Sequence, residues 1–354
     1  MIAVPLRRLS PKTCAAPAAA TDLSPRTGAE SAAPAAPDLS PGTGRKLALA
    51  LALVATPACA RATTPATTGV VVDPPAPYVT PAGDLVILRH RAAMGMTGAV
   101  RAELAPRLAS AGDAPGADPG RDALRGLAIE LALVQGDAEA AARELDRLER
   151  AVLDLGDGAP AQLRGLSAML RGTWLFDQAR YVDARSSHLR ALAALERREP
   201  TGVQTGVALR GLARDQLALG EARTAVDTLA RAIQIHTDQP EAHIELHEDL
   251  LLAVDVMIAL QQKDEAVIVA SDAYNQALNR FGSDTLPHAE ALLMVGAATL
   301  ASGDRGAAET VIGDARVILD RLQAERSDPR FPVSVRAVRR CAALTEMLAR
   351  LTPV

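Results

Sequence analysis

The residues best equipped for chemistry are two histidines four positions apart, His243 and His247, set among Glu241, Glu245 and Glu248. Four residues along a helix return to the same face, and paired imidazoles there can hold a transition metal. The order His-Ile-Glu-Leu-His differs from the His-Glu-x-x-His of zinc proteases, so its glutamate stands at the wrong offset to act as a base. His236 and Asp238 lie upstream, but Pro240 breaks the chain between them and the pair. No metal site is therefore assigned, and a metal-dependent helical enzyme using His243 and His247 is kept only as a remote alternative. Cys14, Cys59 and Cys341 show no Cys-x-x-Cys spacing, which argues against a zinc site or a disulfide framework. The sequence holds no Gly-rich phosphate loop and no Gly-x-Ser-x-Gly elbow, so neither a catalytic residue nor a cofactor is predicted.

A binding chemistry is easier to place. Arg210 and Arg214 stand one helical turn apart and can clamp a carboxylate or an acidic peptide; pairing with Asp215 or with acids of a neighbouring segment is the competing use. Trp174 and Phe176 are rare aromatics in this chain, suited to anchoring a ligand or to packing in a core.

These residues belong to a repeat. A turn phrase recurs at Gly136–Ala141, Ala179–Ala184, Gly220–Ala225, Gln261–Ala266 and Gly303–Ala308, and its closing alanines are 43, 41, 41 and 42 residues apart. Seven residues after them stand Leu148, Ala191, Ala232, Ala273 and Ala315; seven before each phrase stand Ile129, Gly172, Ala213, Val254 and Gly296. Seven residues are two helical turns, so each set lines one face. A glycine inside a helix costs about 1 kcal/mol relative to alanine, and its recurrence marks a place where two helices touch closely. The expectation is an all-α chain, an α-solenoid of about five helical hairpins.

The combination resembles the tetratricopeptide repeat. The best match runs from Gly172 through Ala179, Tyr181 and Ala184 to Ala191, and the next from Gly296 through Gly303 and Ala308 to Ala315. The period is near 42 residues rather than 34, and the family tyrosine survives only as Tyr181. The longer period, with the Phe281–Ala289 linker, is similar to the extended arrays of kinesin light chains and bacterial signalling proteins. The resemblance covers about residues 121–322 and implies that the first helix of each hairpin lines a concave groove for a peptide or a partner protein. In that register the groove presents Glu130, Met169, Thr173, Phe176, Arg210, Arg214 and Leu217. Glu248, Leu251, Asp255, Glu290, Leu293 and Ala297 follow. Residues implied to bind a partner are Arg210, Arg214, Asp255, Phe176, Thr173 and Glu248. Those implied to hold the repeats together are Gly172, Tyr181, Ala184, Ala191, Gly220, Ala225, Ala232, Ala266, Ala273, Gly296, Gly303, Ala308 and Ala315.

Composition agrees. Hydrophobic residues make up 49% of the chain but only seven residues are aromatic, as suits helices packed through alanine and leucine. Lysine occurs three times among 38 basic residues, as expected of a GC-rich genome. The net charge of −4 argues against nucleic acid as a partner. Mixed runs such as Arg143–Arg150 read as solvated helix faces.

The region before residue 120 differs. Residues 1–43, rich in Ala and Pro, carry three Leu-Ser-Pro-x-Thr copies and cannot bury a core, so disorder or a misassigned start is expected. Arg45-Lys46, the apolar run Leu47–Ala55 and Ala58-Cys59-Ala60 have the three parts of a secretory signal over residues 44–60. Cleavage after Ala60 is the first expectation and lipidation of Cys59 the second; a membrane is a partner only in the second. Export to the periplasm or cell envelope is expected, with a cytoplasmic signalling adaptor or peptide-sensing regulator as the alternative. Residues 61–119 read as a linker, with a helix or an incomplete hairpin at Leu85–Ser110 that caps the first repeat. Pro332–Leu351 reads as an amphipathic capping helix, its apolar stripe being Val333, Val335, Val338, Ala342, Leu344 and Leu348. Arg336, Arg339, Arg340 and Arg350 are expected to face water.

Overall fold

The computed structural model describes residues 82–110, 119–324 and 333–351, all within a unit spanning 41–354. The signal-like segment with Ala58, Cys59 and Ala60, and the extension before it, lie outside the described residues. Every regular element among the described residues is helical. The helices are α1 (Ala82–Ala93), α2 (Thr97–Ser110), α3 (Pro119–Gln135), α4 (Ala138–Leu155), α5 (Ala161–Asp177), α6 (Tyr181–Leu195) and α7 (Val203–Ala218). They continue as α8 (Ala222–Thr237), α9 (His243–Ala259), α10 (Lys263–Phe281), α11 (Leu286–Ser302), α12 (Arg305–Ala324) and α13 (Val335–Arg350). Pairs α3/α4, α5/α6, α7/α8, α9/α10 and α11/α12 are the five expected hairpins.

Each turn phrase ends its first helix in the same way. Gly136, Ala179, Gly220, Gln261 and Gly303 all take positive φ, at 75°, 58°, 82°, 60° and 99°. At each of them the N–H donates three residues back and the next N–H donates five back, as in Gly136 to Leu133 at 3.0 Å and Asp137 to Ala132 at 2.8 Å. This is the Schellman ending, which satisfies carbonyls that a helix C-terminus would otherwise leave unpaired. The second helix starts at once; in α4, Asp137 caps it by accepting the Ala140 N–H at 3.0 Å.

The small residues form the seams. Ala141, Ala184, Ala225, Ala266 and Ala308 are all fully buried, as are Leu148, Ala191, Ala232, Ala273 and Ala315. At Gly172 an added Cβ would stand 2.6 Å from His188 Nε2, and at Gly296 it would stand 2.5 Å from Ile312 Cγ1. Close contact with the second helix thus requires those two glycines. Tyr181 is half-buried against Phe176, with ring centroids 5.1 Å apart.

Leu85–Ser110, expected as a helix or partial hairpin, is a complete hairpin in phase with the rest. Gly95, 41 residues before Gly136, has φ 92°. Its N–H and that of Met96 make the same two bonds, to Ala92 and Arg91, each at 3.0 Å. Val100 and Leu88 stand where later repeats place their first-set and pre-turn residues, and both are buried.

First helices pack in a ladder, α1 on α3, α3 on α5, and so on to α11, with α13 in the next place. The ladder then meets its own beginning. Val335 Cγ2 lies where a Cβ on Gly136 would be, 2.7 Å away, and a Cβ on Gly95 would fall 3.3 Å from Val333 and 3.4 Å from Leu286. The α1–α2 turn therefore sits on the ends of the last repeats and closes one superhelical turn.

That closure corrects the expected orientation of α13. Its buried stripe is Ala337, Cys341, Leu344 and Leu348, spaced four, three and four, set against α11 and α12. Val338 is 41% exposed and Ala342 is exposed, because each lies one residue, or 100°, off that stripe. Arg336 and Arg340 do not simply face water; they turn toward the first helices of earlier repeats.

A candidate binding surface on the concave face

The ladder of first helices lays down a cleft whose charges are mostly matched within the chain. Arg89 of α1 lies 3.3 Å from Glu130 of α3 and 3.9 Å from Glu245 of α9. Arg210 of α7 donates to the Glu245 carbonyl at 2.9 Å and to Asp249 Oδ1 at 3.2 Å. Asp249 Oδ2 is 2.6 Å from His236 Nδ1, and His236 Nε2 is 3.1 Å from the Val203 carbonyl. Both imidazole nitrogens thus face oxygens of neighbouring groups. From α13, Arg336 reaches Glu248 at 2.7 Å and Glu290 at 3.4 Å, and Arg340 reaches Asp255 at 2.6 Å.

These pairs tune one another. The Glu248 charge, with Glu290 beside it, outweighs burial and holds Arg336 above the ordinary arginine range. Burial would raise Glu248, but the charge and hydrogen bond of Arg336, with Arg210, bring its carboxyl well below the usual range. Glu290 goes the other way: burial, helped by the Glu248 charge, lifts it despite Arg336. One guanidinium cannot fully serve two acids.

Arg214 is not within ion-pair distance of any acid among the described residues. Arg214 stacks its guanidinium 4.1 Å from the centroid of Phe176, and its Nε is buried without a hydrogen bond. Desolvation lowers its pKa, opposed by the more distant Asp177. Asp177, at the end of α5, is itself raised by partial withdrawal from water, against the pull of Arg214, Arg336 and Arg339. A cation held over an aromatic face with an unsatisfied donor is suited to an incoming carboxylate.

Of the residues that sequence singled out, the structure brings Phe176 and Arg214 together and commits Arg210, Asp255 and Glu248 to ion pairs within the chain. Thr173 spends its hydroxyl on the Met169 carbonyl of its own helix, at 3.2 Å. Met169, Leu251 and Leu293 are buried; Leu217 and Ala297 are half-buried. Trp174 is half-buried outside this cleft, with Arg171 5.2 Å from its ring centroid. It borders an open pocket of about 310 Å³ with Glu149, Arg180 and Arg190. His243 and His247 are packed with Phe281, at 5.6 Å each between ring centroids. His247 is buried with neither nitrogen bonded, and burial pushes it down to about 4. Among the described residues no three His, Cys, Asp or Glu side chains are grouped to hold a metal.

Sequence reading missed two buried polar links between repeats: His188 with Asp215, and His236 with Asp249. A signal existed for the first. Gly172 and Gly211 both lie where a Cβ would strike the His188 ring, at 2.6 and 2.5 Å, so paired glycines announced a bulky group between two first helices.

Residues 165–238 match the tetratricopeptide repeat family. No curated protein matches the sequence. Among solved structures, the tetratricopeptide-like repeats of a putative kinesin light chain from Podosopora anserina are 16% identical, covering 57% of this chain and 96% of that one with a TM-score of 0.42. BtubC (BKLC) from P. vanneervenii is 17% identical, covering 68% and 94%, with a TM-score of 0.46.

Proposed function

We propose that this chain, a tetratricopeptide repeat protein, is a non-catalytic scaffold that receives an acidic segment of a partner protein in its concave cleft. A single observation carries the reading. Arg214, stacked on Phe176, keeps a buried donor unbonded while every neighbouring arginine but Arg339 is matched by an acid of the chain. A peptide carboxylate would supply the missing partner without displacing an existing pair. Fluorescence polarisation with a labelled ten-residue Glu-rich peptide tests this, using a Lys-rich peptide of equal length as control. Arg214→Ala is expected to weaken binding of the Glu-rich peptide about tenfold, the size of one charge-assisted hydrogen bond. Equal affinity for both peptides, or no change in the variant, would overturn it.

The site of action is part of the same proposal. Arg45-Lys46, Leu47–Ala55 and Ala58-Cys59-Ala60 support export to the periplasm or envelope. N-terminal sequencing of the native protein from separated cell fractions decides it. A chain beginning at Arg61, or a lipid-modified Cys59, supports export; an unprocessed cytoplasmic chain points to an intracellular adaptor.

A further inference from the structure

The α1–α2 hairpin is held to the far side of the superhelical turn by an unusual collection of groups. His90 of α1 stacks on Phe281 of α10 with centroids 6.2 Å apart and planes 23° from parallel. It also stands 5.9 Å from the ring of His243. His243 and His247 of α9 both pack on the same phenyl ring. Met94 joins the apolar cluster of Phe281, Ala277 and Ala291, and Gly95 lies against Leu286 and Val333. Three imidazoles thus converge on one buried aromatic at the joint between the first hairpin and the fourth and fifth repeats.

We propose that His243 and His247, packed with His90 around Phe281, form an acid-operated latch, in which protonation of His243 and His247 releases the α1–α2 hairpin and opens the superhelical turn. Neutral imidazoles pack well against a phenyl ring and against each other, whereas imidazolium rings at this spacing repel and demand water. The charges that face the cluster deepen the effect. From α1, Arg89 and Arg91 flank His90, and Arg91 is already taken by Glu103 of α2 at 2.7 Å. From α10, Arg280 adds positive charge at His243, which burial, then His90, then Arg280 hold below the ordinary histidine value. Glu245 on α9, opposing them, has its carboxylate 3.9 Å from Arg89, while Arg210 binds only its backbone carbonyl. Glu130 of α3 is likewise engaged by Arg89. Around His247 the single acid, Glu248, is bound to Arg336 of α13, and Arg210 of α7 adds a further positive charge. His288 of α11, with Tyr274 at 5.5 Å between centroids, borders the same cluster and takes a hydrogen bond from the Asp284 N–H at 3.2 Å. The carboxylates of Glu245 and Glu248 that oppose the charge on His243 and His247 thus already face arginines, and the Glu241 backbone adds one hydrogen bond to His243. The latch does not depend on the proposed peptide-binding role, since its opening is read without any ligand.

Amide hydrogen exchange on the full chain at pH 7.5 and 5.5, corrected for intrinsic exchange, tests the latch. Protection of α1 is expected to fall about tenfold or more at the lower pH, as for one net proton taken up on opening over at least one pH unit. Protection in α7 and α8 should fall less than that of α1, by no more than the loss of global stability, and the far-UV circular dichroism should hold. The His243→Gln/His247→Leu double variant should lose most of this pH response. The proposal is overturned if α1 protection is independent of pH. It is also overturned if α1 loosens only in step with α7 and α8, or if the double variant responds as the parent does.

Discussion

His188 Nδ1 lies 2.5 Å from Asp215 Oδ2, with neither side chain exposed, so α6 of one repeat is tied to α7 of the next by a polar link inside the core. The ring occupies the space left open by Gly172 and Gly211, which makes the histidine part of the packing as well as a donor. Removing one member leaves the other buried without its partner. Asp215→Ala is expected to cost about 3 kcal/mol, read from the midpoint of urea unfolding at constant slope. A double-mutant cycle with His188→Ala should return a coupling of about 1–3 kcal/mol; additive losses would show that the contact is incidental.

The five turn phrases use one backbone geometry but not one residue. Ala179 and Gln261 hold φ of 58° and 60°, where Gly136, Gly220 and Gly303 hold theirs without a Cβ. A side chain in the left-handed region costs roughly 1–2 kcal/mol, part of which glycine returns through its freer unfolded chain. Ala179→Gly and Gln261→Gly should each therefore stabilise the protein, by about 0.5–1 kcal/mol. Gly220→Ala, with nothing near its Cβ position to confuse the result, should destabilise it by about 1 kcal/mol. Thermal unfolding of the three variants checks the sign.

Arg336 joins α13 to both Glu248 and Glu290 while half of its side chain stays accessible to solvent. Exposure on that scale screens the pairs, so Arg336→Ala should cost only about 1 kcal/mol globally. Its larger effect should be local. Two acids left facing each other would loosen the α13 contact, seen as faster amide exchange in residues 335–341 than in α7. Glu290→Gln in the same background should restore protection, because it removes the repulsion and leaves the shape; no restoration would rule out this account.

How much of this was legible depended on whether a feature is local. The turns could be read because a Schellman ending requires a left-handed residue and the next helix begins within two residues, so Gly136, Gly220 and Gly303 mark them directly. The seams could be read because two helices at close approach admit only small side chains, hence Ala184, Ala225 and Ala266. The first hairpin was read only as a helix or incomplete hairpin because Val100 stands where every later repeat has alanine: α2 is the outermost second helix and has no earlier repeat to press against. The cleft was legible as a list of positions but not as a set of pairings. Arg336 meets Glu248 only because the turn closes, and closure rests on contacts such as Gly95 with Val333 that no local pattern encodes. For the same reason α13 showed its periodicity but not which side faces the cleft.

His247 gives the stability of the array a definite dependence on pH. Buried, unbonded and set edge-on to Phe281, its imidazole is pushed down to about 4, against 6.5 for a free histidine. Above pH 6.5 neither the folded nor the unfolded chain binds this proton, so the residue contributes nothing to the pH dependence there. As the pH falls below 6.5, the unfolded chain takes up the proton while the folded chain refuses it, and stability is lost until the folded ring also charges near pH 4. A shift of this size corresponds to about 3 kcal/mol, at 1.36 kcal/mol per unit. Unfolding free energies measured by urea at intervals from pH 7.5 to 4 should therefore fall through that window. His247→Leu, close in volume and without a titrating group, should remove most of the decline while leaving stability at pH 7.5 unchanged or higher, since two unbonded buried nitrogens disappear. A decline of equal size in the variant would assign the acid sensitivity to other groups, and a decline confined to pH below 4 would point to carboxylates such as Glu248, whose low value places its titration there.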